Sequence, residues 1–151
     1  MKAMPDSEKP ALPPATERAS FESWSVDKLR LGDTDRQGHV NNAVFATFAE
    51  TGRIEFMRDE AFNPNHRGTG FLVARIEIDF RAELLWPGTV DIGTRLVAIG
   101  RTSWRVEHGM FAGERCVATG VSVMVTIDDE TRRPKPLSAE LRRWLEARLP
   151  R

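Results

Sequence analysis

The chain has 151 residues, a length that fits one domain with a substantial hydrophobic core better than two domains. Its 22 basic and 22 acidic side chains cancel, so we expect no broad electrostatic field of the kind that attracts nucleic acid or an anionic membrane. Cys116 is the single cysteine, which excludes an internal disulfide framework and is typical of a reducing compartment. The composition therefore predicts a cytoplasmic protein.

The first 19 residues are rich in proline and charge and contain no apolar run. They match neither a signal peptide nor a membrane-spanning segment. Because such a segment has too little apolar surface to offset the entropy of ordering, we expect residues 1–19 to form a disordered or loosely packed tail. A single domain over residues 20–151 is expected to follow, and removal of the tail is expected to leave folding unchanged.

Five segments have the alternating pattern of half-buried β-strands. The clearest is FLVARIEIDF at 71–80, and the others lie at 89–100, 103–111, 116–127 and, more weakly, 23–31. Four of the five are consecutive and joined by short connections, which predicts an antiparallel sheet. Two strands have apolar residues that alternation would place on one face: Leu72, Ala74, Ile76, Ile78 and Phe80 in the first, and Val90, Ile92, Leu96 and Ala98 in the second.

Two segments have helical spacing instead. In NNAVFATFAETGRIEFMRD at 41–59 the apolar residues recur every three or four positions, which predicts a long helix with one apolar face. Gly52 within it indicates a close approach of helix to sheet. SAELRRWLEARL at 138–149 predicts a short helix capped by Ser138 and lying across an edge. The order of strand, long helix, four strands and short helix predicts an α+β fold.

The stretch DTDRQGHVNN at 33–42 lies between the first strand and the long helix. Its acidic spacing is that of the start of an EF-hand calcium loop, but Val44 occupies the position of the bidentate glutamate. The three histidines are too far apart in sequence for a ligand-spaced zinc pair, and no GxSxG nucleophile elbow is present.

Two interpretations of this loop remain open. In the structural one, Asp33 and Asp35 hold an Asx-type turn and Asn41 or Asn42 caps the helix. In the catalytic one, the free N–H groups at the helix N-terminus stabilise negative charge on a carbonyl oxygen. Asp35 would then supply a carboxylate base or nucleophile beside them, which is what hydrolysis of an activated acyl group requires.

The stretch DTDRQGHVNNAVF, followed by FAETGR, resembles the signature of the hotdog-fold acyl thioesterases of the 4-hydroxybenzoyl-CoA thioesterase-like group. The order of strands and helix from Ser23 to Ile127 matches that fold too. The resemblance implies a five-stranded antiparallel sheet wrapped around one long helix, with a short C-terminal helix. It also implies a homodimer or dimer of dimers with active sites at the interface, an acyl-CoA or acyl-carrier thioester as substrate, and no metal or cofactor.

The resemblance assigns roles within the loop. Asp35 matches the catalytic aspartate of the family, and the backbone N–H of Asn42 matches the amide that polarises the thioester carbonyl. His39 matches a histidine proposed to act in plant acyl-carrier-protein thioesterases, which share the HVNN run. The resemblance further implies that Gly38 and Asn41 contact the substrate or orient the loop.

Other positions are weaker candidates for contact with the substrate. The resemblance suggests Glu50 in the long helix, although this residue could equally pair with Arg53 in solvent. It also suggests Arg101 and Ser103, in a hairpin turn where relatives often contact the pantetheine or nucleotide end of the carrier. We expect His108, on an apolar strand face, to be a hydrogen-bonded core residue. The basic cluster Arg132, Arg133 and Lys135 could meet coenzyme A phosphates or be a solvated surface run.

The predicted function is hydrolysis of an acyl-CoA thioester to free acid and thiol. Three alternatives are a catalytically silent hotdog protein that binds acyl thioesters, an acyl-carrier-protein thioesterase, and a hotdog dehydratase acting on hydroxyacyl thioesters. Asp35 together with HVNN argues against a silent protein, and the loop does not match the His-centred motif typical of the dehydratases. A thiol-release assay over acyl-CoA substrates separates hydrolysis from binding alone.

Overall fold

A computed structural model describes residues 12–58 and 69–150. The strands are β1 (Ser23–Lys28), β2 (Thr69–Phe80), β3 (Thr89–Ile99), β4 (Ser103–Ala112) and β5 (Arg115–Asp128). The helices are α1 (Val44–Phe56) and α2 (Ala139–Glu146), with short 3-10 turns at Arg18–Ser20 and Leu31–Asp33. Every predicted strand and helix is confirmed, and the fold is α+β. Residues 1–11 of the predicted tail lie outside the described residues.

The five strands form one antiparallel sheet in the order β1-β3-β4-β5-β2. Helix α1 packs on one face, which we call the inner face, and buries Phe45, Phe48 and Ala49 there. The strands contribute their alternate residues to this core, in which Val90, Ile92, Leu96, Trp104, Val106 and Met110 are buried. This is the hotdog arrangement, in which the sheet wraps around one long helix.

The register of the sheet shifts at three places, and two of these β-bulges overturn predicted faces. The register of β2 shifts between Val73 and Arg75, so Ile76 pairs with the inner-face residue Ser122 whereas Leu72 pairs with Val125 on the outer face. The prediction that Leu72 and Ala74 share a face with Ile76 is therefore wrong. A second shift, between Leu96 and Ala98 in β3, turns Ala98 away from the inner face. The extra residue of a bulge reverses the alternation beyond it, and alternation alone cannot locate that residue.

Helix and sheet approach closely at Gly52, as predicted. A Cβ atom at this position would lie 2.6 Å from Oγ1 of Thr94 and 2.9 Å from Cγ2 of Ile92, both on β3. These distances are shorter than van der Waals contact, so no larger residue fits without moving the helix. The helix propensity that glycine lacks is offset by closer packing of the helix on the sheet.

A cluster of polar side chains lies beneath α1. His108 is fully buried, with Nδ1 at 3.1 Å from Oγ1 of Thr94 and Nε2 at 3.0 Å from Oγ of Ser122. Arg53 donates from Nη1 to the same Ser122 Oγ at 3.1 Å. We call these four residues the buried polar cluster. The expectation that His108 is a hydrogen-bonded core histidine is confirmed, and its burial, with a smaller contribution from Arg53, lowers its pKa to about 3.

The chain before β1 packs on the outer face of the sheet. The Phe21 ring is buried against Gly93, where a Cβ atom would lie 2.4 Å from the ring. Arg18 forms an ion pair with Asp91 at 3.0 Å and stacks on the Trp24 ring at 4.4 Å. The described residues just before β1 are thus attached to the outer face of the sheet through Arg18 and Phe21.

Helix α2 closes one end of the space between α1 and the sheet. Ser138 caps it, as predicted, by accepting a hydrogen bond from the Leu141 N–H at 3.1 Å. Leu141 and Leu145 are buried in a second apolar cluster with Leu96, Trp104 and Met124. The Trp144 ring meets Phe56 of α1 at 5.7 Å. The helix thus lies over the end of the core rather than simply across a sheet edge.

Arg18→Ala should destabilise the fold. The substitution removes the ion pair with Asp91, a hydrogen bond to the Gly113 carbonyl and the stacking on Trp24. We expect the free energy of unfolding to fall by about 1 to 2 kcal/mol in urea denaturation. Arg36→Ala, at an exposed arginine of the loop, is the matched control and should change it by less than about 0.5 kcal/mol. Equal stabilities of the two variants would contradict the anchoring role.

Stability should depend on pH through His108. Its pKa is lowered from 6.5 to about 3 in the folded state, so below pH 6.5 protons bind the unfolded chain preferentially. This contribution to stability is complete above pH 6.5 and is lost as the pH falls towards 3. His108→Gln should reduce the slope of unfolding free energy against pH by up to about 1.4 kcal/mol per pH unit in that window.

Urea denaturation between pH 7.5 and pH 4.5 measures this slope. Arg36→Ala, at an exposed arginine of the loop, is the control and should keep the slope of the parent. If His108→Gln keeps the parent slope too, the burial of a neutral His108 is not what makes stability depend on pH.

Candidate active site

The loop at 33–42 is folded around the Asp35 carboxylate. Its Oδ1 accepts hydrogen bonds from the N–H groups of Gln37 at 2.8 Å and His39 at 3.2 Å. The Asp35 N–H donates to the His39 carbonyl at 2.8 Å, which closes the reversal. Gly38 supplies the positive φ of 81° that the turn needs. One carboxylate oxygen is thus held by the backbone, so the orientation of Asp35 is fixed by its own loop.

The loop is attached to the rest of the fold on both sides. The Val40 N–H donates to the Leu84 carbonyl at 2.8 Å, and His39 forms an isolated bridge with Leu85. On the other side, the Asp33 carboxylate accepts from the Arg30 N–H at 2.8 Å. The Asx-type turn expected from the sequence is present at Asp35, and Asp33 holds the preceding 3-10 turn.

Asn41 holds the turn that leads into helix α1. The N-cap position of the helix is Ala43, which has no side-chain cap, so the predicted cap at Asn41 or Asn42 is wrong. The Asn41 Oδ1 accepts a hydrogen bond from the Ala43 N–H at 3.0 Å, and the Asn41 carbonyl accepts from the Val44 N–H at 3.0 Å. The Asn42 carbonyl accepts from the Phe45 N–H at 3.3 Å. Within the described ranges, however, the Asn42 N–H donates to no acceptor. The start of the helix therefore leaves one backbone donor free, next to the Asp35 loop.

These groups line one side of an open groove with a volume of about 540 Å³. Four predicted site residues line it: Asp35, His39, Asn41 and Asn42. The opposite side is apolar, where Phe45 and Phe80 meet edge to face at 5.2 Å. Glu83 also lines the groove and lies 3.5 Å from Nε2 of His39. The groove therefore has a charged, hydrogen-bonding side and an apolar side. This combination suits a substrate whose polar reacting group is attached to an apolar chain.

Sequence reasoning missed Phe80 and Glu83. Phe80 was identified as a strand residue, and only the pairing of β2 with β5 shows that the strand ends beside the start of α1. Glu83 lies in the connection after β2, which gives no motif of its own. The sequence could indicate only those site residues that lie together in one short segment.

The other predicted contacts lie outside the groove. Glu50 is exposed on α1, where its carboxylate opposes the lowering of the Arg53 pKa that burial causes. Arg101 and Ser103 lie in the β3–β4 turn, and Ser103 pairs with Val125 of β5. The groove lies near Ala118, seven residues back along β5, so about 23 Å separates the turn from it within one chain.

Arg133 and Lys135 follow β5 and bond to its last residues, which puts them at the end of the sheet that carries the β3–β4 turn.

In the described part of the chain, no three histidine, cysteine, aspartate or glutamate side chains lie close enough to hold a metal ion. None of the helices that the structure describes is long and apolar enough to cross a membrane.

Comparison with known proteins identifies relatives across most of the chain. The profile of the Thioesterase-like superfamily matches residues 29–145. A 1,4-dihydroxy-2-naphthoyl-CoA hydrolase of Synechococcus elongatus is 26% identical over 127 residues, which cover 78% of this chain and 90% of that protein.

Solved structures give the same result. A thioesterase from Thermus thermophilus, crystallised with coenzyme A and Zn, is 35% identical. Its TM-score is 0.73, over 84% of this chain and 93% of that one. The PA5185 protein of Pseudomonas aeruginosa is 26% identical, with a TM-score of 0.80 over 89% of this chain and 96% of that one. The chain therefore belongs to the Thioesterase-like superfamily and is a thioesterase of the hotdog fold.

Proposed function

We propose that this protein hydrolyses acyl-coenzyme A thioesters, with Asp35 as the group that activates the attack on the carbonyl. One observation carries the proposal: the Asp35 carboxylate and the free Asn42 N–H line the same groove. The carboxylate is held through Oδ1, which leaves Oδ2 available for the reaction. A base and an oxyanion donor in one groove are what acyl transfer to water needs.

The reaction divides between these two groups. As general base, Asp35 takes a proton from water while the water oxygen bonds to the thioester carbon. The Asn42 N–H, at the positive end of α1, donates to the carbonyl oxygen as it gains negative charge. The tetrahedral intermediate then expels the thiolate, which receives the proton. If Asp35 attacks the carbon itself, water hydrolyses the resulting anhydride, and both routes need the ionised carboxylate.

Three neighbours hold these groups in position. Asn41 fixes the turn that leads into α1 through its bond to the Ala43 N–H, and so fixes the direction of the Asn42 N–H. Gly38 allows the reversal that presents Asp35. His39, held near Glu83, lines the groove beside the carboxylate and orients the water or the thioester.

Relatives support coenzyme A as the carrier. One relative is a hydrolase of 1,4-dihydroxy-2-naphthoyl-CoA, and another was crystallised with coenzyme A. We therefore favour a CoA thioester over an acyl-carrier-protein thioester. A catalytically silent acyl-binding protein is the main alternative, and retention of both reacting groups argues against it.

We also propose that the active protein is built on a homodimer joined through β2. This strand is an edge strand in the described sheet, and its Val73, Ile76 and Phe80 are 40%, 39% and 54% exposed. An edge with exposed apolar side chains favours pairing with another strand. A two-fold pairing of β2 with its copy would give one continuous sheet and pair the free backbone groups of this edge.

Such a dimer would complete the site. In an antiparallel two-fold pair, the Phe80 end of one β2 lies opposite the Thr69 end of the other. That end of β2 pairs with the last residues of β5, and Ser103 of β4 lies one strand further. Arg101 and Ser103 of the partner would thus lie three strand spacings from Phe80, or about 14 Å across the joined sheet, since strands are about 4.8 Å apart. Their proposed contact with the coenzyme A carrier depends on this pairing.

Asp35→Asn should abolish most turnover without unfolding the chain. An asparagine Oδ1 can still accept the bonds from Gln37 and His39, so the turn survives while the negative charge is lost. We expect kcat to fall roughly a hundredfold to ten-thousandfold in a thiol-release assay on the best acyl-CoA found.

Asp33→Asn is the matched control, because Asp33 binds the Arg30 N–H and does not line the groove. It should lower kcat much less, at equal circular dichroism. Near-parent turnover of Asp35→Asn would overturn the assignment and leave the turn-and-cap interpretation of the loop.

Ile76→Glu should dissociate the dimer and lower turnover, because it puts a charge on the apolar edge of β2. Sedimentation should then find the 17.0 kDa monomer in place of a larger species. Val26→Glu, at the opposite edge of the sheet, is the control and should keep both size and activity. A fully active monomer of the parent protein would contradict the shared site.

A further inference from the structure

Arg53 is a buried charge that the proposed reaction does not use. Its side chain is 5% exposed, and Nη1 donates to Ser122 Oγ at 3.1 Å. No carboxylate lies within 4 Å of the guanidinium in residues 12–58 and 69–150. Burial lowers its pKa, and the Glu50 charge opposes this only partly. A buried cation without a paired anion is unfavourable unless a ligand or partner supplies the missing acceptor.

The guanidinium is not sealed from its surroundings. Only Nη1 has an acceptor in the described part of the chain. Neither Nε nor Nη2 is among the fully buried polar atoms that lack a partner there, so both keep contact with solvent. Arg53 is therefore mostly buried, but it keeps two donor atoms open to solvent while Nη1 is held by Ser122.

This opening lies along the same side of α1 as the active-site groove. Phe45, Ala49 and Arg53 are spaced four residues apart and so follow one side of the helix. Phe45 contacts Phe80 at one end, and at the other Arg53 bonds to Ser122, which pairs with Ile76 of β2. The inner-face residues Phe80, Ile78 and Ile76, which we call the apolar strip, connect the two ends. They are at least partly exposed, so the strip is free to bind an apolar chain.

We propose that Arg53 determines substrate specificity by binding an oxygen at the far end of the acyl group, whose chain lies along the apolar strip. The inference rests on the proposed thioester hydrolysis, which puts the acyl carbonyl at Asn42. Four strand residues span about 13 Å, and a helical side chain leans towards the N-terminus. The preferred acyl group therefore carries a carboxylate or a phenolic oxygen roughly 10 Å from the thioester carbonyl.

The parent enzyme provides the first test. Two matched pairs of thioesters are compared: decanoyl-CoA with the dicarboxylic acyl-CoA of the same length, and naphthoyl-CoA with hydroxynaphthoyl-CoA. A charge-assisted hydrogen bond should raise kcat/KM for the oxygenated member of one pair roughly tenfold to a hundredfold. The pair that shows the preference identifies the oxygen as carboxylate or phenol. Equal or lower kcat/KM for both oxygenated thioesters overturns the inference, whereas hydrolysis of none of the four would overturn the proposed function instead.

Variants then assign the preference to the guanidinium. Arg53→Met keeps the unbranched stem of the side chain and removes the guanidinium with its charge, so the preference ratio should fall at least tenfold. Arg53→Lys keeps a positive charge without the planar guanidinium and should retain part of the preference ratio. It replaces the methionine variant in this test if that variant does not fold. Arg58→Met, at an exposed arginine after α1, is the matched control and should keep the parent ratio.

Two results would assign Arg53 to architecture alone. One is an equal loss of kcat/KM for both members of a pair. The other is dissociation of the dimer by Arg53→Lys in sedimentation, which would indicate that the partner subunit supplies the acceptor. Either result overturns the inference and leaves the role of Asp35 untouched.

Discussion

A single α-helix cannot cover a five-stranded sheet. The helix is about 10 Å across, whereas five strands are about 20 Å wide, so part of the inner face must stay open. Here Gly52 brings α1 against β3, and the buried residues of β3 and β4 form the core with it. The inner face of β2 is left partly exposed, with Phe80 at one end beside the helix start. The proposed dimer edge, the apolar strip and the candidate active site all follow from this uncovered strand.

The loop at 33–42 depends instead on local contacts, because its hydrogen bonds join residues that are close in sequence. Asp35, Gly38 and Asn41 each satisfy backbone groups within four residues of themselves. For this reason the stretch DTDRQGHVNN predicted an Asx turn from sequence alone, and the turn is present at Asp35. The predicted cap is absent, because Asn41 bonds to the Ala43 N–H before the first residue of α1. The structural and the proposed catalytic interpretations of the loop are not exclusive, since the turn uses one oxygen of Asp35 and leaves the other available.

The sequence was least informative about residues whose place in the fold depends on segments far away along the chain. The strands and helices were predicted because apolar periodicity is local, but the bulge after Val73 is visible only in the register against β5. Arg18 contacts Asp91 and Trp24. The composition of the first 19 residues gives no indication of these contacts. Arg101 and Ser103 lie in the predicted turn, yet the turn is at the far end of the sheet from Asp35. Motif resemblance predicted them near the substrate, and in the proposed dimer it is the partner subunit that would bring them there.

The buried polar cluster explains how a loosely covered helix can still hold its N-terminus in place. Arg53, Thr94, His108 and Ser122 come from α1, β3, β4 and β5, so their hydrogen bonds join four elements at one point. Apolar contacts allow a helix to slide by small steps, whereas hydrogen bonds between buried groups are lost within a fraction of an ångström. With the cluster near one end of α1 and the turn held by Asn41 before the other, the helix is fixed along its axis. The Asn42 N–H therefore keeps its position relative to Asp35 although one side of the helix faces an open strip.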